Sequence, residues 1–99
     1  MKTKNNKNTE LKFTSHALEM LSKRHDIKPE DINIQQMYRI TRGNYQKFQS
    51  SYPHITNKFR NHIDMTTALV DKISNVALMI SGYDVVTVMY ADGSAGYNF

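Results

Sequence analysis

The chain has 99 residues and a net charge of +4, which is enough for one small domain. It contains no cysteine, which excludes a disulfide scaffold, a cysteine-ligated zinc site and a cysteine nucleophile. Its longest uninterrupted apolar run, residues 76–80, is far shorter than the roughly 20 residues of a membrane span. We therefore expect no membrane span, a flexible basic tail over residues 1–10 and a single globular domain over residues 11–99.

The first predicted helix covers residues 14–25. Thr14 or Ser15 is suited to cap its N-terminus, because a hydroxyl accepts a hydrogen bond from a free backbone N–H. Three apolar residues recur at helical spacing and define its buried face: Ala17, Leu18 and Leu21. The borders of that face carry polar side chains that either line a cleft or form an ordinary solvated helix edge: His16, Lys23 and Arg24.

Residues 27–37 predict a second, short helix. Pro29 suits its first position, and Glu30 and Asp31 suit the positive end of the helix dipole. After it, residues 42–44 indicate a turn and residues 52–53 a loop. The sequence does not assign the rest of this middle region.

Residues 32–63 contain no acidic residue. Their cations are Arg39, Arg42, Lys47, Lys58 and Arg60, with His54 and His62 beside them. The aromatic residues interleaved with these cations are Tyr38, Tyr45, Phe48, Tyr52 and Phe59. Phosphates attract cations and unpaired bases stack on flat side chains, so the segment suits RNA. The alternative is a solvated basic face whose aromatic residues point into the core.

The last third of the chain is rich in β-formers. Residues 76–80 predict a buried strand, Gly82 a turn, and residues 84–91 a second strand with Val85, Thr87 and Met89 on one face. Residues 65–73 fit a helix or a strand, and residues 97–99 a final strand or a tail. This order predicts an α+β fold in which N-terminal helices pack on a small antiparallel sheet.

The chemistry that these residue types permit needs neither a metal nor a cofactor, and we expect none. The four histidines have no metal-ligand spacing, and the chain has no phosphate-binding glycine loop. RNA cleavage through its own 2′-hydroxyl needs a base, an acid and a cation, which His and Lys or Arg supply near neutral pH.

Two stretches resemble a known group. Residues 13–17, Phe-Thr-Ser-His-Ala, followed by Arg24 and by Ile-Lys-Pro-Glu-Asp-Ile over residues 27–32, are similar to the opening of small RelE-like toxin domains. Residues 75–80 and 84–90 are similar to their closing strands. The wider group is the barnase/EndoU/colicin/RelE superfamily of ribonucleases, which includes colicin D-like domains and the tRNase tips of contact-dependent inhibition toxins. Met20 departs from the group, where an arginine is usual.

The resemblance implies a twisted antiparallel sheet across which RNA is held. It also implies that His16 is the acid or base, that Arg24 contacts phosphate and that Thr87 places its hydroxyl near the phosphate. The basic run adds Arg60 and His62 as further candidate catalytic residues. The candidate substrate-binding residues are Lys23, Arg39, Arg42, Lys47, Lys58 and Tyr90.

These observations predict a monomeric, metal-independent endoribonuclease toxin that cleaves tRNA or another structured RNA. We expect it to act in the bacterial cytoplasm, made there or delivered from another cell as the C-terminal tip of a larger toxin. An acidic inhibitor, immunity protein or antitoxin is the expected protein partner. Two alternatives stay open: a non-catalytic nucleic-acid-binding module such as a phage or plasmid regulator, and a protein-interaction inhibitor of a host factor.

Overall fold

The most apolar stretches of the chain pair with each other at the centre of one sheet. The computed structural model describes residues 11–93, so the predicted tail over residues 1–10 and the predicted end over residues 97–99 lie outside the described residues. Within residues 11–93, five strands form a sheet in the order β1-β5-β4-β3-β2. The strands are β1 (Lys12–Phe13), β2 (Tyr38–Thr41), β3 (Thr67–Asp71), β4 (Val76–Ser81) and β5 (Asp84–Tyr90), and the α-helices are α1 (Ser15–Met20) and α2 (Pro53–Asn61).

The α+β class is confirmed, and two details of the predicted architecture are wrong. The sheet is mixed, because β1 runs parallel to β5 through the pairs Lys12–Asp84 and Phe13–Val85. The helices are not both N-terminal, since α2 lies between β2 and β3 in the chain. No helix within residues 11–93 combines the length and apolar character needed to cross a membrane.

The first predicted helix forms with an irregular end. The Thr14 hydroxyl caps α1 by accepting a hydrogen bond from the Ala17 N–H at 3.1 Å. Residues Leu21–His25 continue α1 as a π-helical turn, which ends at Asp26 with a left-handed φ of 53°. Ala17 and Leu21 are fully buried, as predicted, whereas Leu18 is exposed.

The second predicted helix, over residues 27–37, does not form. Two separate 3-10 turns, Pro29–Asp31 and Ile34–Gln36, take its place. Asn33 starts the second turn, because its side chain accepts a hydrogen bond from the Gln35 N–H. The apolar residues of this segment pack at irregular intervals against the sheet, which a regular helix does not allow.

The unassigned middle of the chain contributes β2, a 3-10 turn over Tyr45–Phe48, and α2. The loop predicted at residues 52–53 is instead the start of α2, with Pro53 in its first turn. Ile55 and Phe59 lie one turn apart on α2 and are fully buried. The ambiguous residues 65–73 form β3, whose central residues are buried.

Each face of the sheet is covered by one helix. Ile55 and Phe59 of α2 belong to the cluster on one face, with Ile40, Met79 and Met89 of the strands. Ala17 and Leu21 of the α1 segment belong to the cluster on the other face, where the following strand residues also pack: Leu69, Val76, Leu78, Ile80, Val85 and Val88. The central strands are therefore buried on both sides, which explains the unbroken apolar run of β4.

Candidate active site

A cleft of about 360 Å³ opens where the start of α1 and the end of α2 meet the sheet. Its volume is in the range of small-ligand sites. Its lining residues are His16, Lys58, His62, Asp64, Met65, Met79, Ser81, Val86 and Thr87. We call it the histidine cleft. Four residues singled out from the sequence meet there although they are far apart in the chain: His16, Lys58, His62 and Thr87.

His16 is placed by the capping residue that precedes it. The Thr14 backbone N–H donates to the Val85 carbonyl at 3.1 Å, which continues the parallel pairing of β1 with β5. The Thr14 hydroxyl is also 3.2 Å from the same carbonyl oxygen, to which it donates. These bonds fix the first turn of α1 against β5, so the exposed His16 side chain lies at the rim of the cleft.

Thr87 lines the cleft directly beside a β-bulge in β5. Met79 pairs with Thr87 and Ile80 with Val85, which leaves Val86 as an extra residue. The predicted shared face of Val85, Thr87 and Met89 is therefore wrong for Val85, which packs on the α1 side of the sheet. Val86 and Thr87 both line the cleft. Bulges often re-aim side chains in this way beside functional sites.

Lys58 and His62 come from the end of α2. They are four residues apart, and the His62 N–H donates to the Lys58 carbonyl at 3.0 Å, so their side chains leave the same side of the helix. Lys58 is half-buried and His62 is exposed. The helix dipole also favours cations at this end of a helix.

The turn after α2 is held by hydrogen bonds from neighbouring segments. The Ser81 hydroxyl donates to the Asp64 carbonyl at 2.8 Å. The Thr66 hydroxyl donates to the Ile80 carbonyl and accepts from the Gly82 N–H. The buried Met65 side chain anchors the same turn in the core. The turn therefore presents His62 from a fixed backbone rather than from a free loop.

Asp64 and Ser81 are cleft residues that the sequence reasoning missed. Asp64 is the first acidic residue after the basic segment, and this position is the feature of the sequence that could have drawn attention to it. Ser81 ends β4 and lies directly before the Gly82 turn. Asp64 adds an exposed carboxylate to a cleft that otherwise carries an ammonium group and two imidazoles.

Arg42, a predicted substrate contact, does not line the histidine cleft, and its guanidinium is directed at backbone carbonyls. Its Nε donates to the Met65 carbonyl at 2.9 Å. Its Nη2 donates to the carbonyls of Phe59, at 2.9 Å, and His62, at 2.7 Å. These hydrogen bonds hold the backbone between Phe59 and Met65.

The predicted contacts on the α1 segment also lie outside the histidine cleft. The Arg24 guanidinium donates to the Val88 carbonyl at 3.0 Å, and the Tyr90 hydroxyl donates to the Arg24 carbonyl. Lys23 pairs with Glu19 at 2.8 Å on the exposed side of the helix. Arg24 and Tyr90 therefore join the helix to the sheet, and the structure does not bring them to His16.

The remaining predicted cations lie elsewhere on the surface. Arg39 lies on β2 and lines a second cleft of about 630 Å³ with the exposed Tyr83. Lys47 is exposed in the 3-10 turn before α2, and Arg60 is exposed on α2 outside the histidine cleft. These residues add positive surface charge without forming the site.

The interleaved aromatic residues mostly point inward, which favours the alternative interpretation of that segment. Tyr52 and Phe59 are buried, and Tyr45 stacks on Phe59 with 5.0 Å between ring centroids. Phe48 packs against the same cluster. Tyr38 is the member of the set that stays exposed. A continuous base-stacking platform along this segment is therefore not formed.

The other two histidines are structural. Burial lowers the pKa of His25 and of His54, while hydrogen bonds to backbone groups at the end of β5 act in the opposite direction. Within residues 11–93, the Nε2 atoms of both rings are buried without a hydrogen-bond partner. His25 packs on Tyr90 with 4.6 Å between ring centroids. Both rings therefore favour the neutral form.

Comparison of the chain with protein families, curated proteins and solved structures gave no match. The resemblance to the ribonuclease superfamily therefore stays a prediction from short motifs. The histidine cleft is the feature of the described residues that bears most directly on function.

Proposed function

We propose that the chain is a metal-independent endoribonuclease toxin that acts on tRNA or another structured RNA. The observation that carries this proposal is that one cleft, which also holds Asp64 and Ser81, contains two accessible imidazoles, an ammonium group and the Thr87 hydroxyl. These are the groups that RNA cleavage by 2′-hydroxyl attack requires. An acidic inhibitor that covers the cleft would protect the cell that makes the toxin.

The reaction is an in-line displacement at phosphorus. One of His16 and His62 accepts the proton of the 2′-hydroxyl while its oxygen forms a bond to phosphorus. The other donates a proton to the 5′-oxygen as the bond from phosphorus to that oxygen breaks. The products are a 2′,3′-cyclic phosphate and a free 5′-hydroxyl, so protons and bonds balance without a co-reactant.

Lys58 and Thr87 serve the phosphate in this scheme. The Lys58 ammonium offsets the negative charge that builds on the non-bridging oxygens in the transition state. The Thr87 hydroxyl donates a hydrogen bond to one of those oxygens. Met65, Met79 and Val86 supply the apolar part of the lining, which excludes water from one side of the reacting group.

The test is incubation of the purified chain with total bacterial RNA in EDTA, followed by a denaturing gel and analysis of the new ends. We expect discrete fragments with 2′,3′-cyclic phosphate ends. The double variant His16→Ala/His62→Ala, purified in the same way, controls for contaminating nuclease and should leave the RNA intact. Intact RNA with the folded wild-type chain, or equal cleavage by the double variant, would reject the proposal and favour a binding role.

A further inference from the structure

The Arg42 guanidinium is directed at backbone oxygens on both sides of His62. The three acceptors are the carbonyls of Phe59, His62 and Met65, at 2.7 to 2.9 Å. The group also lies 5.5 Å from the centroid of the Phe59 ring, over its face. Arg42 itself is anchored, because its own N–H donates to the Thr66 carbonyl at 3.1 Å.

These contacts satisfy a need that the end of α2 creates. The last carbonyls of a helix have no partner within the helix, and basic side chains often bind them. The His62 N–H donates to the Lys58 carbonyl within the last turn of the helix. Arg42 donates to the carbonyls of Phe59, His62 and Met65. One planar cation thereby bonds carbonyls at the end of the helix and in the turn after it, together with the Met65 N–H, which donates to the His62 carbonyl at 3.1 Å.

The consequence falls on the histidine cleft, since His62 lies in the middle of the bonded segment. Its exposed side chain makes no hydrogen bond shown within residues 11–93, so its position depends on the backbone that carries it. Proton transfer requires the imidazole to lie within hydrogen-bond reach of the reacting oxygen, and a misplacement of about 1 Å lowers the rate on the order of 100-fold.

We propose that Arg42 is a positioning residue that holds His62 in the geometry for proton transfer. This inference rests on the proposed function, because it assigns His62 a proton to move. It replaces the expectation that Arg42 contacts phosphate. Lysine cannot replace it fully, since an ammonium group lacks the planar fork that reaches several carbonyls at once.

The first arm of the test is kinetic, with the variants Arg42→Gln and Arg42→Lys. We expect kcat to fall on the order of 100-fold in Arg42→Gln and less in Arg42→Lys, with KM nearly unchanged. Lys72→Gln, which removes a cation from an exposed site away from the cleft, is the matched control and should keep the wild-type kcat.

The second arm distinguishes positioning from direct contact with RNA. The affinity for a non-cleavable 2′-deoxy oligonucleotide is measured as a function of salt. A lost phosphate contact weakens binding and lowers the salt slope by about 1. Arg42→Gln should leave both unchanged. Loss of affinity with a smaller slope, or an unchanged kcat, would overturn the proposal.

The third arm is independent of RNA. In the NMR spectrum of the free chain, the imidazole signals of His62 should shift or broaden in both Arg42 variants, while those of His16 stay as in the wild type. If Arg42→Gln does not fold, Arg42→Lys decides the outcome. Unchanged His62 signals would overturn the proposal, whereas changed signals in a chain that cleaves no RNA would keep the backbone role and reject the proposed function.

Discussion

The chain places two histidines near each end of β5, and the two pairs differ in every property that decides what an imidazole does. His16 and His62 are accessible and line one cleft beside the bulge of β5. His25 and His54 are packed at the other end, one against Tyr90 and the other near Gly93. Burial lowers the pKa of the second pair, so those rings favour the neutral form.

This contrast shows that residue type alone does not identify a catalytic group. All four histidines lie in the same basic chain, and the sequence analysis named His16 and His62 as candidate catalytic residues. What separates them is access to solvent, since His16 and His62 are exposed whereas the Nε2 atoms of His25 and His54 are buried. We therefore expect substitution of the accessible pair to lower the cleavage rate, and substitution of the packed pair to lower the stability of the fold.

The largest expected effect is that substitutions in the two pairs change different quantities, kcat in one pair and the free energy of unfolding in the other. His16→Ala and His62→Ala should each lower kcat by about 100-fold or more, because each removes an acid or base, and should leave the melting temperature unchanged. His54→Ala should instead lower the free energy of unfolding by about 1 to 3 kcal/mol, since it empties a packed site. RNA cleavage and thermal unfolding measured on each variant check this, and full activity of His16→Ala would break the comparison.

A second prediction concerns the charge in the cleft. Lys58→Ala should lower kcat by about 100-fold, because the ammonium group no longer offsets charge in the transition state. Lys72→Ala removes the same charge from an exposed turn and should leave kcat unchanged. Steady-state cleavage of one RNA by both variants measures this, and equal kcat values would remove Lys58 from the mechanism.

A third prediction uses two glycines to test how tightly the residues around His54 are packed near the end of β5. A Cβ on Gly93 would lie 2.8 Å from His54 Nδ1, and one on Gly82 would meet nothing within 4 Å, although both have positive φ. Gly93→Ala should lower the free energy of unfolding by about 1 to 3 kcal/mol, and Gly82→Ala by less, because strain acts alone there. Urea unfolding of both variants gives the two values, and an equal loss would contradict the tight packing around His54.

The smallest expected effect is a pH dependence of stability. Because the pKa of His25 and of His54 is lowered from 6.5 in the folded chain, the unfolded chain binds more protons below that pH. Stability is therefore complete above about pH 6.5 and declines as the pH falls towards the folded values. Urea unfolding from about pH 7.5 to about pH 5.5 should show this decline, and His25→Gln/His54→Gln should reduce it. The same decline in the double variant would assign it to other groups.

The parts of the fold that the sequence predicted are those with a local cause. The Thr14 cap, the buried run of β4, the Gly82 turn and the strand over residues 84–91 each follow from a few neighbouring residues. Residues 52–53 predicted a loop, although a proline also suits the first turn of a helix, and α2 begins there. Only the burial of Ile55 and Phe59 against the sheet makes this short helix stable.

The candidate site was predictable in its chemistry and not in its geometry. His16 and Thr87 were named from the resemblance, and Lys58 and His62 from the basic run. Their meeting depends on where α1 and α2 pack against β5. The sequence analysis could not predict this, because it left the middle region that contains α2 unassigned. Arg42 shows the opposite case, since an arginine in a basic segment suggested phosphate while its donors are directed at carbonyls.

The most direct test of the proposed chemistry asks whether the 2′-hydroxyl of the substrate takes part. The cleavage position is first mapped in a tRNA, and the reaction in EDTA is repeated with a tRNA that carries a 2′-O-methyl group on the nucleotide before the cut. We expect 2′,3′-cyclic phosphate ends on the unmodified tRNA and loss of cleavage at the methylated position. Cleavage that persists there, or fragments with 3′-hydroxyl ends, would contradict the proposed chemistry.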